Sequence, residues 1–225
     1  MKFLYKFASR SRPSKFFDCI ENIYINSRDK DFTILATLDL DDESMNNEGV
    51  IEKMKRYDKI YPVWGTSTSK IHAINRDMDK APDWDVLINM SDDMMFIENG
   101  YDVIIQDDIR TMFPLGDCLL HYPDQNQGRN CMTMSIMDKK FYDRFGYIYH
   151  PDYKTLWCDL EAMEVGRLTS RYMFINKRIF NHYHPSFGQA QYDDQYRRTE
   201  GHEIRGMDET TYINRKAKNF YINVA

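Results

Sequence analysis

The sequence predicts an α/β fold in which helices flank a mixed, mainly parallel β-sheet within a single domain. In the first half of the chain, short apolar runs alternate with segments whose apolar residues recur at helical spacing, the pattern of stacked strand-helix units. The length of 225 residues suits one domain with a sizeable core. With 42% hydrophobic and 29% charged residues, the composition excludes a disordered, collagen-like or coiled-coil chain.

Strands and helices of the first half follow from this alternation. The apolar runs predicted as strands are 3–8, 32–38, 60–64 and 86–90. The intervening segments predicted as helices are 13–27, 48–57 and 70–78. Pro13 suits the first position of its helix, and Phe16, Ile20 and Ile23 follow at a spacing that makes one apolar face. Each helix would return the chain to a new parallel strand.

Beyond Asn99 the order of elements changes, and the sheet is expected to become mixed. Segments 118–121 and 131–137 are predicted strands separated by the polar stretch YPDQNQGRN, which suits an antiparallel pair. The remaining predicted elements are helices at 139–145, at 159–169 and in the charged tail from Glu209 onward, with a strand at 178–184.

Charge and cysteine usage narrow the classes of function. Thirty basic against 35 acidic residues give a formal net charge of −5, which argues against general nucleic-acid binding. The four cysteines have no CxxC spacing, so we expect free thiols in a reducing cytoplasm. The N-terminal apolar run is interrupted by Lys6, Arg10 and Arg12, which does not suit a signal peptide, and no stretch is apolar enough for a transmembrane segment. The sequence therefore predicts a soluble, cytoplasmic protein.

Several common catalytic motifs are absent. The sequence has neither GxxxxGK[ST] nor GxGxxG, so P-loop NTPases and dinucleotide-binding Rossmann enzymes have no support. A serine hydrolase is equally unsupported, because there is no GxSxG. Any nucleotide must be held in another way.

Two groups of residues could bind a divalent metal. Asp92 and Asp93 directly follow the apolar run 86–90, and strand ends are where parallel sheets place ligands. Carboxylate oxygens suit Mg²⁺ or Mn²⁺. The alternative is a turn or a helix N-cap, because aspartate is favoured in both. His182 and His184 lie two apart in an extended segment and so face the same side. Either could complete a metal site, and either could instead be a structural histidine.

Polar side chains suited to phosphate follow the other predicted strands. They are Ser9, Arg10, Arg12, Asp39, Asp41, Lys70 and Asn75. The alternative for Asp39 and Asp41 is a solvated loop, and the alternative for Arg10 and Arg12 is a pair of surface arginines. Asp159 and Glu161 lie at the start of the predicted helix 159–169, where Asp159 could be a general base or a helix cap.

In chain order, these segments resemble the inverting family-2 glycosyltransferases of GT-A (Rossmann-like) fold, including short phage and bacterial members, over roughly residues 3–200. The matching segments are FASRSRPSKFFDCIENI, ATLDLDDESM, WGTSTSKIHAIN, INMSDDMMF, WCDLE and FNHYHP. The resemblance implies one domain over 1–225. It would comprise a nucleotide-binding half of about 1–98, an acceptor-binding and catalytic half of about 99–200, and a tail of 201–225.

The resemblance also implies a reaction. A nucleotide sugar, most often a UDP-sugar in this family, would donate its sugar with inversion to a glycan, lipid-linked or protein acceptor. Asp93 and one histidine, preferably His184, would hold Mn²⁺ or Mg²⁺. Asp159 would be the base, with Glu161 as competitor because Cys158 replaces the usual glutamate. The implied donor-binding residues are Ser9, Arg10, Arg12, Asp39, Asp41, Lys70, Asn75 and Asp92.

Two other functions remain open from the sequence. A non-catalytic protein of the same fold could bind a nucleotide sugar without transferring it. A sugar nucleotidyltransferase has a related fold, but its opening loop is usually rich in glycine, and FASRSRP contains none.

Overall fold

A central strand that is apolar except for Lys6 organises the fold, which is taken from a computed structural model describing residues 1–222. This strand, β1, is buried over nearly its whole length, because helices cover both faces of the sheet. The strands of the described residues are β1 Phe3–Ala8, β2 Phe32–Asp39, β3 Ile60–Gly65, β4 Val86–Met90, β5 Met94–Phe96, β6 Leu119–His121, β7 Ile136–Asp138, β8 Tyr172–Phe174 and β9 Phe180–His182.

Helices connect most of these strands. The α-helices of the described residues are α1 Pro13–Asn26, α2 Glu48–Met54, α3 Lys70–Asn75, α4 Tyr101–Met112, α5 Lys139–Phe145, α6 Cys158–Leu168, α7 Asp194–Thr199 and α8 His202–Lys216. Pro13 occupies the first turn of α1, and Asn47 and Ser69 accept backbone N–H groups at the starts of α2 and α3. Within residues 1–222, no helix is long and apolar enough to cross a membrane.

The seven-stranded sheet has the order β3-β2-β1-β4-β7-β6-β8. Strands β1 to β4 are parallel, β7 runs antiparallel to β4 and β6, and β8 is parallel to β6. The chain moves from β1 outward to β3 and then returns to the other side of β1 as β4. In sheets of this kind the crevice outside the carboxyl ends at such a reversal is a common ligand site. A separate two-stranded sheet pairs β5 with β9 in antiparallel fashion.

Alternate residues of the central strands feed two hydrophobic clusters, one on each face of the sheet. Phe3, Tyr5 and Phe7 of β1 pack with α1 and α4 on one face. Leu4 contributes to the other face, where α3, α5 and α6 lie. This single sheet with helices on both sides confirms the predicted α/β fold class.

The structure differs from the sequence predictions mainly in the second half of the chain. The predicted strand 131–137 is confined to β7, and helix α4 was not predicted. The predicted helix 70–78 ends at Asn75, since Asp77 adopts a left-handed conformation with φ of 70°. The tail helix begins at His202 instead of Glu209, and the last part of the predicted tail, 223–225, lies outside the described residues.

Candidate functional site

A cleft of about 400 Å³ opens at the carboxyl ends of the parallel strands. The C-terminal end of β2 and the loops after β1, β3 and β4 contribute to it, so one sheet edge gathers polar segments identified in the sequence. Its lining includes the following predicted donor-binding and metal-binding residues: Ser9, Arg10, Arg12, Asp39, Lys70, Asp92 and Asp93. Asp41 and Asn75 are not among the lining residues.

Asp92 is tied to the loop that follows β1. Its carboxylate accepts hydrogen bonds from Ser9 Oγ at 3.1 Å and from Arg12 Nη1 at 2.8 Å. Burial raises the pKa of Asp92, and the Arg12 charge opposes that shift. The Arg12 guanidinium also forms a bidentate pair with Asp193 and lies 4.1 Å from the ring centre of Tyr196. This network fixes the β1 loop against β4 and against α7.

Arg10 joins the β1 loop to the β2 loop. Its Nη1 atom donates to Asp39 Oδ2 at 2.9 Å, and its guanidinium forms a bidentate pair with the exposed Asp41. The other carboxylate oxygen of Asp39, Oδ1, is buried and has no hydrogen-bond partner among residues 1–222. It faces Arg76 Nη1 at 3.8 Å, which is an ion pair beyond hydrogen-bond distance, so this oxygen keeps its capacity to accept a ligand N–H or O–H group.

Lys70 and Asn75 lie on the same short helix but have different surroundings. Lys70 begins α3 and lines the cleft. The side chain of Asn75 instead accepts the N–H groups of Ile148 and Tyr149 and donates to the Tyr149 carbonyl. Its amide therefore holds the loop after α5, which is a structural role.

Asp93 is brought next to His182 by the pairing of β5 with β9. Met94 is in register with His182, and Tyr183 N donates to Asp93 O at 2.8 Å. As a result, His182 Nε2 lies 3.5 Å from Asp93 Oδ2, while His182 Nδ1 lies 3.4 Å from Asp124 Oδ2. The imidazole is thus held between two carboxylates.

The charges of His182, Asp93 and Asp124 shift the pKa values of all three side chains. Burial acts to lower the pKa of His182, but hydrogen bonds and charge from Asp124 and Asp93 outweigh it and raise the pKa to about 9. Burial acts to raise the pKa of Asp93, yet His182, Lys70 and the Tyr196 hydroxyl hold that pKa well below its usual range. The pKa of Asp124 is lowered to about 2, because His182 and backbone N–H groups outweigh its burial.

His184, the histidine preferred from the sequence, has a different partner. Its Nε2 atom lies 3.1 Å from Glu200 Oε1, and its Nδ1 accepts the backbone N–H of Ser186. The two histidine rings are 5.4 Å apart. Among the described residues, no group of three or more His, Cys, Asp or Glu side chains is arranged to hold a metal ion.

The residues around Asp93 nevertheless fit a divalent cation bound together with a phosphate ligand. Asp93 Oδ1 is buried and lacks a hydrogen-bond partner within residues 1–222, and Asp93 Oδ2 accepts the Tyr196 hydroxyl at 2.5 Å. Mg²⁺ and Mn²⁺ sites that hold substrate phosphates use only one or two protein carboxylates and keep other positions for water and phosphate oxygens. Asp93 supplies the one carboxylate that a site of that type requires, and His182 lies beside it, where it would ligate a cation only in its deprotonated form.

A second cavity, of about 610 Å³, adjoins the cleft. Ala8, Lys70, Ser91 and Thr155 line both, and His182, His184 and Asp159 line the second cavity. The Asp159 carboxylate accepts a hydrogen bond from Cys131 Sγ at 3.0 Å and one from Leu160 N at 2.9 Å. These contacts fix one orientation of the carboxylate at the start of α6.

Glu161 lines neither cavity. It is 3% exposed and forms a bidentate pair with Arg215, both distances being 2.8 Å, while also accepting the Tyr153 hydroxyl. The structure therefore surrounds Glu161 with partners that join α6 to α8, whereas Asp159 lies at a cavity wall.

Several residues of the site were not found from the sequence. Tyr196 of α7 and Ile204 and Met207 of α8 line the cleft, so the predicted tail forms part of it. Asp208 of α8 accepts the backbone N–H groups of Lys154, Thr155 and Leu156, each at 2.8 Å. The segment YDDQ at the start of α7 is a visible signal, but nothing local in the sequence indicates which loop Asp208 binds.

Solved structures share this fold. The crystal structure of TarS from S. aureus is similar with a TM-score of 0.64 and 12% identity, over 81% of this chain and 36% of that chain. TarS 1–349 in complex with UDP gives a TM-score of 0.65 and 11% identity, over 80% of this chain and 60% of that chain. The mannosyltransferase PcManGT from Pyrobaculum calidifontis, in complex with GDP-Man and Mn²⁺, gives a TM-score of 0.59 and 10% identity, over 79% of this chain and 55% of that chain.

These similarities establish a GT-A-like fold for this chain. The chain covers less than two thirds of the length of each of these solved chains. A scan against protein-family models and a search of the curated proteins found no match. The fold thus rests on structural similarity and on the sheet described above.

Proposed function

We propose that the protein is a metal-dependent glycosyltransferase that moves a sugar from a nucleotide-sugar donor to an acceptor hydroxyl with inversion of configuration. The observation that carries the proposal is the position of Asp93 and His182 at the junction of two cavities. Asp93 lines the cleft, and His182, 3.5 Å from it, lines the second cavity that contains Asp159. A donor in the cleft and an acceptor in the second cavity would then meet at this pair.

The cleft supplies groups suited to a nucleoside diphosphate. Asp93 and His182 would hold Mn²⁺ or Mg²⁺, and such an ion when bound neutralises the charge that develops on a diphosphate leaving group. Lys70 adds a fixed positive charge where the two cavities meet. Asp39 Oδ1, which has no hydrogen-bond partner among the described residues, would accept a hydrogen bond from the nucleoside. Arg10 and Arg12 are paired with carboxylates and hold the walls of the cleft.

Asp159 would act as the general base. Because Cys131 Sγ and Leu160 N hold its carboxylate at the wall of the second cavity, it is placed to accept the proton of an acceptor hydroxyl. The hydroxyl oxygen would attack the anomeric carbon directly, which inverts the configuration and needs no covalent intermediate. His182 is preferred over His184 as the metal ligand, since His182 Nε2 lies 3.5 Å from Asp93 Oδ2 whereas His184 Nε2 faces Glu200.

A UDP-sugar is the first donor to test, with a GDP-sugar second. Similar structures were solved with UDP, with UDP-GlcNAc, and with GDP-Man and Mn²⁺. The cytoplasmic location and the absence of general nucleic-acid binding stay predictions from the sequence.

A thermal-shift panel tests the proposal without knowledge of the acceptor. UDP-, GDP-, CMP- and dTDP-sugars would each be added with and without Mn²⁺, because a ligand that binds the native state raises Tm. We expect one nucleotide class to raise Tm only when Mn²⁺ is present. If no donor raises Tm under either condition, the donor site is refuted. Metal-dependent donor binding without transfer or donor hydrolysis would instead identify a non-catalytic nucleotide-sugar-binding protein.

A further inference from the structure

We propose that the second cavity binds a neutral carbohydrate, so that the acceptor hydroxyl belongs to an uncharged sugar. This inference rests on the proposed function, because it assigns the acceptor of the same reaction. The volume of about 610 Å³ lies within the range of about 300–1,000 Å³ that is usual for small-molecule sites. It leaves room for one or more sugar units beside Asp159.

The polar part of the cavity wall consists largely of uncharged groups. Asn89 of β4 lines the cavity, is 5% exposed, and has an Oδ1 atom without a hydrogen-bond partner among the described residues. Gln127 and Asn130 also line it, while the neighbouring Gln125 and Asn126 make the hydrogen bonds that tie this loop to the His182 carbonyl. Side-chain amides offer both donors and acceptors, which matches the dual character of a sugar hydroxyl.

Aromatic side chains provide the apolar part of the wall. Trp157 and Phe187 both line the cavity, and Phe187 is 44% exposed. The Trp157 ring lies against Tyr212 with ring centres 5.4 Å apart, which fixes its plane. Flat apolar faces of this kind bury the C–H face of a ring that carries hydroxyls on its edges. Amides together with these two aromatic rings therefore match both surfaces of a pyranose.

The charges of this wall do not favour an anionic acceptor. The lysine and arginine of the lining, Lys70 and Arg205, are balanced by Asp159 and Glu200, and His182 lies between two carboxylates. Recognition of phosphate relies on arginine clusters or several free backbone N–H groups. An acceptor phosphate would also lie close to the carboxylate of Asp159, where like charges repel.

The proposed transfer involves the donor sugar, the acceptor hydroxyl and Asp159. The acceptor oxygen forms a bond to the anomeric carbon of the donor sugar while the bond from that carbon to the phosphate oxygen breaks. The electron pair of the broken bond leaves with the nucleoside diphosphate, and the hydroxyl proton passes to Asp159.

Saturation-transfer NMR tests this inference directly. The intact protein would be mixed with Mg²⁺, the nucleotide that the thermal-shift panel selects, and one of two sets of probes. The neutral set is the methyl glycosides of glucose, galactose, mannose and N-acetylglucosamine, and the anionic set is ribitol 5-phosphate and glycerol 3-phosphate. We expect saturation transfer to at least one methyl glycoside and to neither phosphate.

Two variant pairs locate the binding. Phe187→Ala should weaken glycoside binding about 3- to 10-fold through loss of one aromatic contact, whereas Tyr61→Ala, an aromatic residue of similar exposure on β3, should leave it unchanged. Gln127→Ala should weaken it to a similar degree, whereas Gln191→Ala, at an exposed position, should not.

Whether the nucleotide binds in the same experiment separates this inference from the proposed function. If the nucleotide binds but no methyl glycoside does, or if only the phosphates bind, the neutral acceptor is refuted while the donor site stands. If a glycoside binds with the expected variant pattern and no nucleotide binds, the carbohydrate site stands and the transferase is refuted.

Discussion

The carboxylate of Asp208 provides a strong test of how the C-terminal helix supports the site. It is 1% exposed and accepts the backbone N–H groups of Lys154, Thr155 and Leu156, each at 2.8 Å. In the variant Asp208→Asn, one oxygen is replaced by an NH₂ group that cannot accept a hydrogen bond. At least one buried N–H then loses its partner and the others lose a charged acceptor, which costs about 2–3 kcal/mol.

For a chain of this length, that loss corresponds to a fall in Tm of about 4–12 °C. Circular dichroism during heating, together with urea denaturation, would measure it. Glu209→Gln is the matched control, because Glu209 is an exposed neighbour on the same helix, and such changes usually stay within about 0.5 kcal/mol. Since Thr155 lines both cavities, Asp208→Asn should also weaken donor binding. Equal melting temperatures for Asp208→Asn and the wild type would refute this account of α8.

Three further predictions concern the base and the buried charges. Asp159→Asn should keep donor affinity within about 3-fold but lower the transfer rate at least about 100-fold in a nucleotide-release assay; a variant with more than a tenth of the activity would remove Asp159 from this role. Burial lowers the pKa of Lys6 from 10.5 to about 7, so between these pH values unfolding takes up a proton. The free energy of unfolding should therefore rise with pH in this range, by up to about 1.4 kcal/mol per pH unit relative to the variant Lys6→Met. A flat difference between these two proteins in urea titrations from pH 6 to 9.5 would show that Lys6 keeps its proton in the fold. Arg215→Met leaves Glu161 buried without its partner and should cost about 3–5 kcal/mol, whereas adding Glu161→Leu should restore much of it; equal stability of the single and double variants would contradict a buried ion pair.

The central strands could be predicted from the sequence because their burial is local information. Strands β1 and β4 lie between two layers of helices, so their sequences are almost continuously apolar, and their predicted bounds agree with the structure. Loops after these strands lie at one edge of the sheet, because parallel strands all end at the same edge. The predicted gathering of Ser9, Lys70 and Asp93 around one cleft follows from that geometry.

Helices α4 and α8 differ in how much of their burial is visible as hydrophobic periodicity. In α4, Tyr101, Ile105 and Ile109 recur every four residues and could have revealed the helix. The buried residues of α8 are Asp208, Tyr212 and Arg215. Two of these three are charged and are buried because they find partners in distant segments, so apolar spacing carries almost no signal for this helix.

The partners within the site depend on contacts between distant parts of the chain. Strand β5 has three residues, too few for a periodic signal, yet its pairing with β9 selects His182 as the neighbour of Asp93. The role of Asn75 was equally hidden, because an amide at the end of a helix can bind a ligand or a loop, and only the fold shows that it binds the backbone of residues 148 and 149.

Under the proposed function, Asp93 holds a divalent cation together with the nucleotide. Calorimetric titration of Mn²⁺ into the protein saturated with its preferred nucleoside diphosphate tests it most directly. Asp93→Asn would be compared with Asp83→Asn, whose aspartate is 86% exposed and lies before β4 instead of after it. We predict at least about tenfold weaker Mn²⁺ binding for Asp93→Asn, equivalent to about 1.4 kcal/mol, and unchanged binding for Asp83→Asn. Equal Mn²⁺ affinity in Asp93→Asn and the wild type would contradict the claim.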